Sequence, residues 1–298
     1  RQPLFLIFPT DLCAVYRFCI RRRVLFFPLR TVKQMEEHEK IRAALADEHI
    51  TEVGFLPRKS FCVLAPGMMK KCDDVRSAVV FLIPYRTGAV PKDGLNISLY
   101  ARVKDYHAFF TTLSERFYGF CDRSPIDEKA AAASCGLGVT GMNTLLISPV
   151  YGSFVFIGSF LTTLELAGEN ERPETRRCAG CGRCAAACPA GAISEHGIDR
   201  ERCLSAVSQK KAKTPEDERA LVETGTVWGC DICQLVCPMN ASAKLTGIPY
   251  FTESFDGDLS AEKIEAMDDR EFEQYAFSWR GRKVITDNIR RIRGTRDV

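Results

Sequence analysis

The chain has 298 residues, of which 46% are hydrophobic and 27% charged, and this composition is typical of a globular protein with one large or two modest domains. Its 41 basic and 38 acidic residues leave a formal net charge of +3, which is too small to indicate nucleic-acid binding by overall charge alone. Fourteen cysteines are too few for a secreted disulfide scaffold of this length, and their motif spacing favours a reducing compartment. We therefore expect a cytoplasmic protein.

Residues 1–33 are predicted to be an atypical N-terminal extension. They begin with Arg1 rather than Met, and a short apolar run precedes the basic residues Arg21–Arg23. No apolar run reaches the ~18–20 residues that a membrane span requires, and the order of charged and apolar residues fits a secretory signal poorly. We predict no membrane association and assign this extension no function, with a peripheral membrane hairpin as the alternative.

The following segment alternates helical and strand patterns. Apolar periodicity predicts a helix over residues 34–47, strands over 51–56 and 75–84, a helix over 100–120, and strands over 144–147 and 152–161. Between the two strand pairs, Gly136–Gly141 spells G-x-G-x-x-G. A dinucleotide site would need a strand before this motif and a helix after it, whereas here the order is reversed, so we predict a turn.

Asp122 lies just before a further predicted helix. Ser124 is a suitable N-cap, Pro125 suits the first helical position, and the helix is expected to end at Gly136. An aspartate at a helix start is most often a local cap. The residues alone therefore leave capping and catalysis open for Asp122.

Eight of the fourteen cysteines lie between residues 178 and 237, in two runs. The first run has the C-x₂-C-x₂-C-x₃-C-P spacing of a two-cluster ferredoxin, and the second lacks one step, which the lone Cys203 replaces. In such folds the last cysteine of each run ligates the other cluster. We therefore assign one [4Fe–4S] cluster to each of two sets of thiolates, a first set of Cys178, Cys181, Cys184 and Cys237 and a second set of Cys188, Cys203, Cys230 and Cys233.

Zinc is the alternative metal, because C-x₂-C pairs also occur in tetrahedral Cys₄ zinc sites. Zinc sites would not explain why three cysteines follow one another at C-x₂-C spacing or why both runs end in Cys-Pro, so we favour clusters. Beyond the cysteines, basic residues dominate from Arg280 to Arg293. That charge run is compatible with a solvated terminal helix or with a phosphate-contacting patch.

Several motifs together resemble one family, epoxyqueuosine reductase. They are Tyr100–His107, Asp122–Pro125, Gly136–Ile147, the first cysteine run, and Trp228–Pro238. The resemblance extends from about residue 38 to the C-terminus, as a short form without the family's C-terminal helical repeats. It implies an α+β fold in which residues 34–170 form a nitroreductase-like cobalamin-binding domain, 171–245 a two-cluster ferredoxin-like domain, and 246–298 a short basic helical segment.

The resemblance also implies an activity, which is reduction of the epoxide of epoxyqueuosine in tRNA. The implied cofactors are base-off cobalamin and two [4Fe–4S] clusters, supplied by a low-potential donor such as ferredoxin or flavodoxin, in a monomeric enzyme. Asp122 matches the family's general acid, and the implied cobalamin-binding residues are Arg102, Tyr106, His107, Asn143 and Thr144. For His107 a buried core position is the alternative. A corrinoid reductase of a small molecule and a non-enzymatic electron carrier are the alternative functions.

Overall fold

The structure, a computed structural model, describes residues 32–65, 74–92, 94–116, 119–121, 124–168 and 178–294. Most of the predicted extension, residues 1–31, lies outside the described residues, and so does Asp122. Within the described ranges, no helix is both long enough and apolar enough to cross a membrane.

Helices and strands are mixed along the chain, in agreement with the predicted α+β class. The first half contains α1 (Val32–Ala46), β1 (Val53–Pro57), β2 (Ser77–Pro84), β3 (Asn96–Ile97), α2 (Tyr106–Arg116), β4 (Gly119–Cys121), α3 (Glu128–Ser134), β5 (Val139–Thr140), β6 (Leu146–Ile147) and β7 (Val155–Thr162). The second half contains α4 (Arg183–Ala187), β8 (Ile193–Ser194), β9 (Gly197–Ile198), α5 (Leu204–Val207), α6 (Pro215–Thr224), β10 (Thr226–Trp228), α7 (Ile232–Leu235), α8 (Pro249–Thr252), α9 (Ala261–Ala266), α10 (Asp269–Phe272) and α11 (Arg282–Gly294).

The chain forms two compact units, each assembled from three separate segments. The first unit comprises Arg1–Ile83, His107–Gly138 and Phe156–Arg176, and the second comprises Pro84–Tyr106, Val139–Val155 and Arg177–Val298. All eight motif cysteines belong to the second unit. The predicted boundaries at residues 170 and 245, between the cobalamin-binding domain, the two-cluster domain and the basic helical segment, stay predictions.

A four-stranded sheet in the order β1-β2-β7-β4 is the centre of the first unit. Strand β1 is antiparallel to β2, and β4 is antiparallel to β7. Every residue of β2 is buried, as its continuous apolar sequence predicts. Gly158 of β7 is required by packing, because a Cβ there would lie 2.5 Å from the Phe81 ring. The predictions of β1, β2 and β7 are therefore confirmed to within a few residues, whereas β4 lies at the end of the segment that was predicted as a helix over 100–120.

Helix α3 begins later than the sequence predicts. Its N-cap is Asp127, whose side chain accepts a hydrogen bond from the Ala130 amide, rather than Ser124. The preceding residues are extended because Ile126 forms an antiparallel bridge with Val63. The Pro125 carbonyl accepts from the Leu64 and Ala65 amides. This long-range pairing holds the segment extended, so it does not form the first turn of the helix. The predicted helix over 100–120 is likewise shortened to α2, after a 3₁₀ turn at Leu99–Ala101.

The core of the second unit surrounds Trp228, which is fully buried. The indole Nε1 donates to the Tyr100 hydroxyl at 3.0 Å, and the indole ring packs edge-on against Phe277. Strand β10, which contains Trp228, pairs in parallel with β3. Next along the chain, Gly229 has φ +66°, and a Cβ there would lie 2.6 Å from that of Ser98. A glycine is therefore required at the entrance to the second cysteine run.

Candidate metal centre

The first cysteine run curls through two left-handed glycines before it becomes helical. Gly180 has φ +61° and Gly182 has φ +69°, and a Cβ at either position would meet open space. Glycine is therefore used here for its backbone conformation rather than to avoid a clash. Cys184 lies in α4, and Cys188 caps the C-terminal end of that helix before Pro189. The run therefore presents its thiols along one short loop and one short helix.

The four thiols of the first set line a single pocket. Helix α4 packs against α7, which brings Cys237 of the second run to the cysteines of the first. The remaining wall is almost entirely apolar and contains small glycine residues. Its lining residues are Met142, Asn143, Ile147, Ala179, Gly180, Gly182, Pro238 and Met239. Four convergent thiols in a close, apolar pocket are the donor set that a [4Fe–4S] cluster requires.

The cysteines of the second set also lie near one another. Cys203 precedes α5, and Cys230 and Cys233 flank the start of α7. Cys188 and Cys203 are close enough to Cys230 for their ionisation to raise its pKa, and Cys203 and Cys230 have the same effect on Cys233. The Cys188 sulfur accepts a hydrogen bond from the Ala192 amide at 3.3 Å. Amide hydrogen bonds to sulfur stabilise negative charge on a cluster.

Burial opposes ionisation of these thiols. It raises the pKa of Cys230 to about 11 and the pKa of Cys233 to about 12, and negative charge on neighbouring groups adds to both shifts. Metal ligation requires thiolates, so iron binding at this set must release protons. The positive charge of iron would offset the cost of burying the thiolates, which makes the set suited to a metal and unsuited to free thiolate chemistry.

Buried polar side chains connect the second cysteine run to the rest of its unit. Asn240 accepts from the Ser153 amide at 2.8 Å, and its side-chain nitrogen donates to the Ser153 hydroxyl and to the Gln234 carbonyl. Ser153 then donates to the Gln234 side-chain oxygen at 2.9 Å. The Gln234 nitrogen donates to Asp231 at 2.8 Å. We call these four residues the buried polar chain.

Asp231 receives hydrogen bonds from two further donors. The Ser98 hydroxyl donates to one carboxylate oxygen at 2.6 Å, and the Leu99 amide donates to the other at 2.7 Å. Burial raises the pKa of Asp231, whereas these donors and the positive charge of Arg102 oppose that shift. Sequence patterns did not predict this network. Polar residues adjacent to cysteine ligands, in Cys230-Asp-Ile-Cys233-Gln, were the signal that could have indicated it.

Arg102, predicted to bind cobalamin, is fully buried in the second unit. Its guanidinium donates to the Ile97 carbonyl at 3.1 Å and to the Leu95 carbonyl at 3.0 Å. These contacts fix the loop between β3 and the 3₁₀ turn. The guanidinium is therefore suited to holding the loop, and the predicted role of Arg102 at cobalamin stays a prediction.

Tyr106 and His107 begin helix α2, where Tyr106 belongs to the second unit and His107 to the first. Tyr106 is half-buried, with its ring edge-on to Tyr100 at 6.4 Å. His107 is exposed, so the alternative of a buried core histidine is wrong. Both side chains can present polar atoms to a ligand. Their predicted role at cobalamin stays a prediction.

Asn143 and Thr144 lie in the tight turn between β5 and β6. The sequence predicts a turn slightly earlier, at Gly136–Gly141, and places Thr144 in a strand. Asn143 is buried, lines the first-set pocket and is hydrogen-bonded to Cys233, and this bond favours the thiolate. Thr144 has φ +62°, an uncommon conformation for a β-branched residue. Backbone strain of this kind costs about 1–3 kcal/mol and concentrates at functional sites. The structure therefore brings Asn143 of this turn into contact with the cysteine sets.

The basic C-terminal segment forms α11, whose apolar side packs into the core of the second unit. Val284, Ile285 and Ile289 are among its buried residues, so a wholly solvated helix is wrong. Its basic side chains are paired with acids. The pairs are Arg282–Asp269, Lys283–Asp287, Arg290–Asp287, Arg291–Glu218 and Arg293–Glu262. This pairing lowers the net positive charge available for phosphate.

Comparison with known proteins agrees with this geometry. Residues 177–240 match the model of a 4Fe-4S double cluster binding domain, which supports the predicted iron–sulfur clusters. The chain is 34% identical over 242 residues to epoxyqueuosine reductase from Gloeobacter violaceus, covering 73% of this chain and 74% of that protein. It is 35% identical over 176 residues to the Lactococcus garvieae protein of the same name, covering 56% of this chain and 49% of that one.

A solved structure shares the fold. It is an epoxyqueuosine reductase with an epoxyqueuosine-modified tRNA stem loop, which aligns with a TM-score of 0.71 and 22% identity over 88% of this chain and 81% of that one. The chain thus covers between half and three quarters of the length of the two curated relatives named above.

Proposed function

This chain belongs to the epoxyqueuosine reductase family, and we propose that it reduces the epoxide of epoxyqueuosine in tRNA to the alkene of queuosine. The observation that carries the proposal is the 34% identity to a family member over 242 residues, together with the match of residues 177–240 to a double-cluster domain. The convergence of Cys178, Cys181, Cys184 and Cys237 on one pocket supports the assignment of the first set to one cluster. The proximity of Cys188, Cys203, Cys230 and Cys233, seen in their effects on one another's pKa, supports the assignment of the second set to the other cluster.

The reaction requires two electrons and two protons. Both bonds from carbon to the epoxide oxygen break, a carbon–carbon double bond forms, and the oxygen leaves as water. The eight thiolates would hold two clusters, which when bound would supply one-electron transfer from a ferredoxin or flavodoxin donor. The buried polar chain keeps the second cysteine run in place.

Cobalamin is the proposed cofactor at the substrate, because family membership implies it. When bound, it would supply a strongly reducing cobalt centre for the opening of the epoxide. Tyr106, His107 and Thr144 have side chains with at least partial exposure, which fits contact with such a cofactor. Asn143 would act from the cluster side, through its contact with Cys233. Arg102 would contribute indirectly, by fixing the loop that precedes Tyr106.

Asp122 is proposed as the general acid. Breaking a carbon–oxygen bond leaves negative charge on oxygen, and a carboxylic acid close to that atom could donate the proton that neutralises it. The acid must be protonated near neutral pH, so its pKa would have to be raised by burial next to the cofactor. A general acid typically contributes about 10²–10⁴ in rate, which sets the loss expected for Asp122→Asn.

The test is anaerobic turnover of an epoxyqueuosine-containing tRNA stem loop. Protein with both clusters reconstituted is mixed with cobalamin and a reduced flavodoxin, and loss of one oxygen atom from the nucleoside is followed by mass spectrometry. We expect conversion by the wild type and by Asp127→Asn, and a loss of about 10²-fold or more for Asp122→Asn. Asp127 is the matched control because it is a nearby aspartate that caps α3.

Two outcomes would contradict the proposal. Protein with both clusters that binds cobalamin but neither binds nor converts the stem loop would identify a corrinoid reductase of a small molecule, which the acid-paired α11 makes the second candidate. Protein that holds both clusters but never retains cobalamin would identify an electron carrier. Undiminished turnover by Asp122→Asn would remove that residue from the mechanism and leave the function in place.

A further inference from the structure

Asp231 is a fully buried carboxylate between two cysteines of the second set, Cys230 and Cys233. The hydrogen-bond directions around it are determined by backbone groups at the far end of the buried polar chain. The Ser153 amide can only donate, so the Asn240 oxygen must face it, and the Asn240 nitrogen therefore faces the Gln234 carbonyl. The Ser153 hydroxyl then donates to the Gln234 oxygen, which leaves the Gln234 nitrogen to donate to Asp231.

All three groups that contact the Asp231 carboxylate are therefore donors. Besides the Gln234 nitrogen, they are the Ser98 hydroxyl at 2.6 Å and the Leu99 amide, which can only donate, at 2.7 Å. A protonated carboxyl could give its own hydrogen only to the Ser98 hydroxyl, whereas an ionised carboxylate accepts all three bonds. This arrangement fits the ionised form and holds its negative charge at a fixed position.

The charge of Asp231 acts on the sulfurs that bind the second cluster. The buried carboxylate is adjacent to Cys230 in the chain and two residues before Cys233, and negative charge nearby disfavours a further negative charge on either sulfur. An electron added to a cluster is also negative charge at those sulfurs. The same repulsion must therefore disfavour reduction of the second cluster, in a site where burial weakens solvent screening.

We propose that Asp231 is a positioning residue whose fixed negative charge lowers the reduction potential of the cluster bound by Cys188, Cys203, Cys230 and Cys233. The inference rests on the cluster assignment in the proposed function and assigns Asp231 no contact with substrate. A lower potential makes the reduced second cluster a stronger electron donor. Asp231 would thus help the chain deliver electrons at the low potential that the proposed epoxide reduction demands.

The test is a redox titration of reconstituted protein without cobalamin or tRNA, followed by EPR. Replacing Asp231→Asn keeps the size of the side chain and removes its charge. We expect one of two cluster midpoints to rise by about 59 mV, which corresponds to a tenfold change in the equilibrium constant of a one-electron couple. The other midpoint should stay unchanged. An unchanged pair of midpoints in a variant that holds both clusters would overturn the proposal.

Two control variants separate charge from structure. Asp256→Asn removes a carboxylate of the same unit that is bonded to Lys263 and Tyr275, and it should leave both midpoints in place. Ser98→Ala removes one hydrogen bond to Asp231 but keeps its charge, so its shift should be much smaller than that of Asp231→Asn. Equal shifts in Ser98→Ala and Asp231→Asn would show that loop geometry, rather than charge, sets the potential.

If Asp231→Asn loses iron, Asp231→Ser serves as the neutral variant and Asp231→Glu as the variant that keeps the charge. Cys181→Ser, which perturbs only a first-set ligand, identifies the other cluster by shifting its midpoint. A second-set midpoint that is the same in the neutral and the charged variant would overturn the proposal. These measurements need neither substrate nor turnover, so failure of the tRNA activity would leave them interpretable.

Discussion

Replacing Asn240 with alanine should weaken the second unit next to the first-set pocket. Asn240 is almost fully buried, and its side chain makes three hydrogen bonds, each of 2.8 Å. Two of them satisfy backbone groups, the Ser153 amide and the Gln234 carbonyl, which no side-chain rotation can re-pair. The Ser153 hydroxyl keeps its bond to the Gln234 side chain.

The magnitude follows from the groups that lose their partners. A buried polar group without a partner costs about 1–3 kcal/mol, so two of them cost about 2–6 kcal/mol, with the lower figure applying if a water enters the space. Because thermal midpoints of proteins this large fall by roughly 2–4 °C per kcal/mol, we expect a decrease of at least about 4 °C. Cys237 lies three residues before Asn240 in the same turn, so iron should also be lost to a chelator faster.

The assay is thermal unfolding of the anaerobic, iron-loaded protein at one fixed scan rate, since unfolding of such proteins is commonly irreversible. Asn96→Ala is the matched control, because the Asn96 side chain donates one bond to another side chain, Thr226, and its loss should cost about 1 kcal/mol. An Asn240→Ala midpoint equal to that of Asn96→Ala, with unchanged iron release, would refute the reasoning.

Three further predictions concern the second unit. Thr214→Ala removes the side-chain part of the capping box of α6 and should cost about 1 kcal/mol, seen as a lower thermal midpoint. Burial raises the pKa of Asp256, but hydrogen bonds from Lys263 and Tyr275 outweigh it and hold that pKa below 3.8. The carboxylate therefore stabilises the fold above pH 3.8, and the midpoint difference between wild type and Asp256→Asn should vanish as pH falls below that value. Gly229→Ala should lower iron content, because a Cβ at φ +66° would lie 2.6 Å from a serine Cβ, and normal iron loading would contradict this.

The parts of the fold that local patterns determine were predictable. The apolar run of β2 is buried on both faces, and the cysteine spacing alone indicated a double-cluster domain. Long-range pairing set the rest. The N-terminal end of α3 moved to Asp127 because Ile126 bridges to Val63, a residue more than sixty positions earlier that no local rule connects to it.

In the candidate site, too, local patterns predicted one part of the arrangement and long-range contacts determined the rest. Thiols at fixed spacing could be grouped in advance, because each cluster demands four ligands. The loop function of Arg102 could not be read from its sequence motif, since it depends on the carbonyls of Leu95 and Ile97. The network around Asp231 was also hidden, because its partners come from three separate segments of the chain, near Ser98, Ser153 and Asn240.

The central claim is that eight thiolates bind two clusters in crossed sets, and iron content in double variants tests it most directly. Cys233 and Cys237 are neighbours in sequence but belong to different sets, whereas Cys184 and Cys237 are distant in sequence and share one. We predict that Cys184→Ala/Cys237→Ala retains about four iron atoms per chain, and that Cys233→Ala/Cys237→Ala retains almost none. The reverse pattern, with iron kept when the sequence neighbours are replaced and lost when the distant pair is replaced, would contradict the account.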